Sequence, residues 1–330
     1  MNSFGRFLRM AVFGESHGEA VGVVIDGCPA GIPLCVQDFS SDLTRRRAGA
    51  EGTTSRREPD IPLIKSGLFN QKTTGAPLAI LFENTDTISE DYTNLKDRPR
   101  PGHADFVAFR KFGGHNDYRG SGAFSGRLTV ALVAAGVVAK KIIDPILVKA
   151  SVLEVDGQTD LKTAVKSAVK DKDSAGGLIE CRVERAPVGL GEPFFDSVES
   201  LISHAVFAIP GVKGIEFGAG FASGRMRGSE FNDPIETPDG KTKTNHAGGM
   251  NGGITNGNQV LFRIAVRPPS SIAREQDTVD LGTGQPAKIR ATGRHDVCFA
   301  LRMPVIVEAV SAFVLADFML VEHKIPRILN

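Results

Sequence analysis

Ten arginines (Arg45, Arg46, Arg47, Arg56, Arg57, Arg98, Arg100, Arg110, Arg119 and Arg127) fall within 83 residues of a chain whose net charge is only +1. The planar guanidinium suits two-point recognition of carboxylate and phosphate. Such a local concentration on a near-neutral chain points to a small anionic ligand more than to a nucleic acid. Histidines stand close by in sequence. Gly14-Glu15-Ser16-His17-Gly18 sets an imidazole in a turn framed by glycines, and Arg100-Pro101-Gly102-His103-Ala104-Asp105 sets another in a loop fixed by Pro and Gly. Both turns let backbone and ring approach a ligand closely. The glycines of 120–126 precede an apolar segment, where free N–H groups at a helix start would suit an anion. That stretch lacks the Gly-Lys-Ser/Thr of a P-loop and the strand context of a dinucleotide fingerprint. The glycine-rich run from Asn245 to Gly253 suggests backbone held against a flat ligand or another chain. Arg294-His295-Asp296 adds a cation, an imidazole and a carboxylate. No His/Cys/Glu spacing fits a metal. Each motif also has a plain reading: arginines at a helix C-terminus complement its dipole, glycines serve packing, and 294–296 is a polar turn.

The elements that must carry these residues read as mixed α/β. Strands are expected at Leu8–Phe13 and Val21–Asp26, near 62–68 and 78–82, and near 213–218 and 259–266. Apolar residues at 36, 39 and 43 predict a helix over 36–47. The 48–60 stretch is polar, and 84–122 reads as a long irregular, functional loop. Ser125–Ile143 is small and apolar on nearly every face, which predicts a buried helix. Asp196-Ser197-Val198-Glu199 resembles a capping box opening a helix that stops at Pro210-Gly211. A long apolar helix fills roughly 304–323. With 330 residues, 41% apolar and 23% charged, the chain can bury a large core, and disordered, collagen-like and coiled-coil classes are excluded. No uninterrupted apolar run reaches a membrane-spanning length, no cleavable signal is visible, and four scattered cysteines form no disulfide framework. The expectation is one α/β domain over 1–330, in the cytoplasm.

Taken together, the segments resemble the chorismate synthases over essentially the whole chain. The residues carrying the likeness are Phe13–Gly18, Arg45–Arg47 with Thr53–Pro59, Asn84–Asp86, Arg100–Asp105, Asp117–Gly120, Asn245–Gly249, Arg267–Ile272 and Arg294–Cys298. The resemblance implies an anti 1,4-elimination of phosphate from 5-enolpyruvylshikimate 3-phosphate to give chorismate, the last step of the shikimate pathway. It implies a need for reduced FMN with no net redox change. A substrate with one phosphate and two carboxylates accounts for many arginines, and a phosphate leaving group calls for a proton donor. By motif position the resemblance makes His17 the proton donor to the phosphate. It places His103 beside the flavin and makes Asp296 an aid to flavin deprotonation. Ser16 and Ser125 support the relay. Flavin contacts would come from Ser125, Gly126, Arg127, Ile209, Pro210, Gly252, Arg267, Pro268, Pro269, Ser270, Ser271 and Arg294. Substrate or NADPH contacts would come from Ser16, Arg46, Arg47 and Arg127. The implied fold is a β-α-β sandwich with helices between antiparallel sheets, assembled as a homotetramer. The monofunctional type is expected, fed by a separate flavin reductase, with no metal, nucleic acid or membrane partner.

The chain departs from the family pattern at Gly122-Ala123-Phe124-Ser125-Gly126-Arg127, where an arginine and a serine are absent. It departs also at Ala50-Glu51-Gly52, Val297 and Arg267. Two competing readings are a module that binds a polyanion and a divergent member with little activity. Base stacking normally calls for exposed aromatics, whereas this chain has no Trp and only Tyr92 and Tyr118.

Overall fold

The computed structural model describes residues 2–49, 51–89, 92, 95–291 and 293–328. In chain order the first elements are β1 (Ser3–Phe4), β2 (Arg9–Gly14), β3 (Ala20–Asp26), α1 (Ser40–Arg46), β4 (Leu63–Ser66), the short pair β5 (Leu68–Phe69) and β6 (Lys72–Thr73), β7 (Leu78–Glu83), α2 (Asp105–Lys111) and α3 (Thr129–Ile142). Then come β8 (Leu147–Val155), α4 (Leu161–Lys170), β9 (Gly177–Glu184), α5 (Val198–Phe207), β10 (Val212–Phe217), α6 (Gly228–Phe231), the hairpin β11 (Met250–Asn251) and β12 (Ile254–Thr255), β13 (Val260–Val266), the pair β14 (Gln276–Val279) and β15 (Pro286–Ile289), and α7 (Pro304–Val321). One antiparallel sheet has the order β1-β2-β3-β7-β4 and the other β10-β13-β9-β8. Period-two burial is clear on one strand of each sheet, β7 and β13, with alternate residues inside.

Helices α3 and α7 lie between the sheets, α3 against β3 and β7 and α7 against β8 and β9, and pack on each other. The expected arrangement of helices between antiparallel sheets is therefore present. A helix with a sheet on one side and a helix on the other has no wet face. This is why 11 of the 14 residues of α3 and 15 of the 18 of α7 are buried and neither is amphipathic. By length and composition α7 could cross a bilayer, but here it is the central core helix. Close approach of the pair needs Gly136, where a Cβ would lie 2.2 Å from the Ala309 Cβ and 2.4 Å from its Cα.

Two buried carboxylates on α7 tie the layers together. Glu308 accepts from Arg45 (2.7 and 2.6 Å), from Lys140 (3.0 Å) and from the Ala150 backbone (3.0 Å), joining α1, α3, α7 and β8. Burial alone would raise its pKa, but these bonds hold it below the usual carboxylate value. Asp317 accepts the backbone N–H groups of Arg6, Phe7 and Leu8 at 2.7–2.9 Å and so anchors the entry to β2.

Several sequence expectations shift. The 36–47 helix is a 3-10 turn at Val36–Phe39 followed by α1. The helix read from 125 starts at Thr129, because Ser125–Leu128 form a tight turn capped by the Ser125 hydroxyl. The box at 196–199 is absent: Ser197 caps α5 through Ser200 N, and the helix ends at Phe207. The irregular 84–122 stretch contains α2. The elements β8, α4 and β9 had no predicted counterpart. Replacing Gly136 by Ala should lower stability by about 1–3 kcal/mol through overpacking, although the same change in an open helix stabilises by about 1 kcal/mol. The urea midpoint of Gly136→Ala against the parent chain checks the sign.

Candidate active site

A cavity of about 580 Å³ opens between the loops after α1, before α3 and before α7. Its size is within the roughly 300–1,000 Å³ of small-molecule sites. Among the described residues, nine arginines and three carboxylates line it. Phe124, Phe299, Met303 and Ile306 add apolar surface to the same lining.

The three consecutive arginines at the end of α1 meet three different surroundings, because successive residues of a helix point about 100° apart. Arg45 goes to Glu308 on the far side. Arg46 is fully buried: Nη1 reaches Asp60 at 3.0 Å, Nε reaches Thr129 Oγ1 at 3.1 Å, and Nη2 reaches the carbonyls of Gly126 and Arg127. Burial pulls its pKa down to about 9, with Asp60 opposing. Arg47 is exposed, and among the described residues its guanidinium bonds the Pro59 carbonyl. Arg127 is buried and binds the same Asp60, Asn84 Oδ1 (2.8 Å) and the Glu83 carbonyl (3.0 Å). One carboxylate thus serves two buried guanidiniums.

Other arginines are partnered as well. Arg56 donates to Glu58 (2.6 Å) and to Ser16 Oγ (2.8 Å). Glu58 in turn accepts from Thr85 and Asp86, and these bonds hold it below the usual carboxylate range although burial opposes them. Arg294 clasps Asp86 (2.8 Å), and Arg302 clasps Asp296 (3.0 and 3.1 Å), whose other donor is Thr54 N (2.8 Å). Among the described residues, the guanidiniums of Arg47, Arg57 and Arg267 line the cavity with no carboxylate partner, Arg57 meeting Asp86 only through its backbone N–H. They are the cations left over for an anion.

The sequence-predicted residues Ser16, Arg46, Arg47, His103, Ser125, Gly126, Arg127, Pro210, Arg267, Pro269, Ser270, Ser271, Arg294 and Asp296 all line this one cavity. Ile209 and Pro268 adjoin lining residues without lining it themselves. His17 sits just behind the wall. Its ring packs edge-on to Tyr92 at 5.1 Å, Nδ1 lies 2.9 Å from Ser89 Oγ, and Gly120 is a glycine because a Cβ would lie 2.4 Å from the ring. Burial, then the Arg56 charge, pushes its pKa below the ordinary histidine value, with Asp117 opposing. His103 is held by Asp105 (2.6 Å), Arg100 and Ser121, and burial lowers its pKa also. Gly252 is apart from the cavity, exposed at the β11–β12 turn. Elsewhere in that glycine-rich run the close approach is to this chain's own backbone: Gly248 packs on Gly218 and Gly249 on Gln259.

Sequence reasoning missed Asp60, Glu58 and Asp86 as partners of the arginines. The available signal was Glu58, two residues after Arg56 in Arg56-Arg57-Glu58-Pro59-Asp60; nothing local pointed to the distant partners of Asp60 and Asp86. It missed Tyr92 and Arg302, which only the fold brings to the wall.

A family model described as "Chorismate synthase" matches residues 8–320. A chorismate synthase of Chitinophaga pinensis is 61% identical over 329 residues, covering 99% of both chains. Those of Korarchaeum cryptofilum and Pyrococcus abyssi are each 44% identical, over 95% and 96% of this chain and 96% and 97% of theirs. A crystal structure of a chorismate synthase superposes with a TM-score of 0.74 at 24% identity, covering 97% of this chain and 93% of that one, a likeness of fold. Agreement over this length leaves one conclusion: the chain belongs to the chorismate synthase family.

Proposed function

We propose that the chain catalyses the elimination of phosphate from 5-enolpyruvylshikimate 3-phosphate to give chorismate, in a site that also takes reduced FMN. The observation that carries this reading is one cavity lined by apolar side chains and by three guanidiniums without carboxylate partners among the described residues. A trianionic substrate and a flat ring with a phosphate tail need both surfaces. The arginines lie in a concave site rather than on an open face, which disfavours a polyanion-binding module.

The residues present fit the flavin. Arg267, with Ser270 at 2.6 Å from its Nη1 and no carboxylate, suits the phosphate tail. Backbone at Ser125–Gly126 and Pro210, with Ser271, completes the proposed contacts. The side chains of Arg127 and Arg294 are already bonded to Asp60 and Asp86, so they shape the site. What reduced FMN supplies when bound is transient electron donation with no net redox change. In this reading the C–O bond to phosphate breaks, and His17 gives a proton to the departing phosphate oxygen. The C6 hydrogen is lost as the new double bond forms. Asp296, oriented by Arg302 and Thr54, would take up that proton in the end by aiding deprotonation of the flavin, directly or through the substrate. His103 holds a proton position beside the ring. Arg46 acts by fixing the cavity floor, and Arg47 and Arg57 meet substrate anions. NADPH binding, a homotetramer, an external flavin reductase and a cytoplasmic setting are further parts of the proposal. The chain is read as one domain over 1–330, since both sheets share the α3–α7 core.

Anaerobic turnover of 5-enolpyruvylshikimate 3-phosphate, followed by chorismate absorbance, should require photoreduced FMN. Absence of product from folded protein with flavin present would favour the divergent-member reading. His17→Ala should lower turnover by roughly 10²–10⁴-fold, with substrate affinity by calorimetry little changed. Because His17 titrates below its ordinary value in the empty site, it is neutral at pH 7. An arriving anion offsets the Arg56 charge and raises that pKa, so His17 takes up protons on binding. Calorimetry at pH 7 in buffers of different ionisation enthalpy should show less proton uptake for His17→Ala than for the parent chain.

A further inference from the structure

Three consecutive residues before α3, Gly120, Ser121 and Gly122, have φ of 56°, 71° and 51°. The glycines are needed on steric grounds too, since a Cβ on Gly120 would strike His17 and one on Gly122 would lie 2.2 Å from the Asp117 carbonyl oxygen. Ser121 between them bears a side chain in the left-handed region, where non-glycine residues are strained and where such strain clusters at functional sites. Its backbone has no need of a serine, so the reason lies in its hydroxyl.

That hydroxyl lies 3.2 Å from His103 Nε2 and 3.2 Å from Arg100 Nη2. The other ring nitrogen, Nδ1, lies 2.6 Å from Asp105 Oδ1. Arg100 also grips Asp105 through Nε (2.7 Å) and Nη2 (2.8 Å). A guanidinium only donates and an ionised carboxylate only accepts. Arg100 Nη2 (3.1 Å) and the Asp105 backbone N–H (3.2 Å) also face Nδ1, but its shortest contact, at 2.6 Å, is with a carboxylate oxygen that can only accept, which places the proton of the neutral ring on Nδ1. With Arg100 donating to its oxygen, the Ser121 hydroxyl then turns its O–H to the unprotonated Nε2. The tautomer is assigned from this donor–acceptor pattern.

We propose that Ser121 is a positioning residue for His103, its hydroxyl donating to Nε2 so that the ring is held neutral, as the Nδ1–H tautomer, at the cavity wall. The proposal rests on the reading above in which His103 works in this cavity. The charged groups facing the ring are Arg100 and Asp105 from its own loop and Arg267 from the loop after β13. Ser121 supplies the donor that none of these gives to Nε2. The strain at its backbone is the cost of placing a hydroxyl where the glycine turn comes closest to the imidazole.

Ser121→Gly removes the hydroxyl and relieves the strain together, so structural and functional effects part in opposite directions. The thermal midpoint should be equal to or above that of the parent chain. In histidine-selectively labelled protein, the His103 pKa read by NMR should rise, because a neutral ring loses its donor, and its nitrogen shifts should move toward mixed tautomers. Turnover should fall by about tenfold or more with KM nearly constant. Ser121→Ala keeps the strain and loses the hydroxyl, and should show the same ring and rate changes without the gain in stability. An unchanged His103 titration and unchanged nitrogen shifts in both variants would overturn the proposal. Normal turnover in His103→Gln would remove the functional reading of His103, and that result is independent of what Ser121 does to the ring.

Discussion

The carboxylate of Asp60, shared by Arg46 and Arg127, is the interaction on which the cavity depends. Removing two guanidiniums from water is costly unless each finds a charge and its remaining N–H groups find acceptors. Asp60 provides the charge for both, and the carbonyls of Glu83, Gly126 and Arg127 with Asn84 Oδ1 and Thr129 Oγ1 accept the rest. The bonds join the end of α1, the polar loop after it, the exit of β7 and the turn into α3. Four segments far apart in sequence are thereby held in one register. Two cations on one anion also leave a surplus positive charge beneath the cavity floor.

That surplus orders the electrostatics above it. Among the described residues, six of the nine lining arginines are fixed by a carboxylate, and four of these carboxylates are themselves pinned by backbone donors, as Glu58 is by Thr85 and Asp86. Fixed charges need little reorganisation when an anion arrives or when charge develops during bond breaking. Arg47, Arg57 and Arg267 stand outside this lattice of pairs and keep their capacity for a ligand. The imidazoles of His17 and His103 sit among these cations and are partly shut off from water, so both favour the neutral form until an anion enters.

Rigidity comes from behind the site. Glu308 and Asp317 give the apolar α7 two polar anchors without exposing it, and Gly136 lets α3 approach closely enough to seal the core. The N-terminal end of α7 then delivers Met303 and Ile306 to the apolar part of the lining, while the preceding turn delivers Asp296 and Arg302 to the polar part. The strained backbone at Ser121 is tolerated because the turn is clamped on both sides, by Ser16 N on the Gly122 carbonyl and by Arg100 on the hydroxyl.

Composition and spacing alone determined a large mixed α/β core, the two mostly apolar buried helices, most long strands within a residue or two, and an anion site built from arginines and histidines. Those features are local: apolar periodicity, turn residues and side-chain chemistry are written along the chain. The two strands and the helix between residues 147 and 184 escaped notice because their pattern of burial depends on which sheet and helix they meet. So did the roles of individual arginines. Arg45, Arg46 and Arg47 are chemically identical and adjacent, yet one braces α7, one is buried on Asp60 and one faces the cavity. Which carboxylate each meets is set by contacts spanning 14 to 263 residues, and only tertiary structure brings such partners within the few ångströms at which charge and hydrogen bonding act.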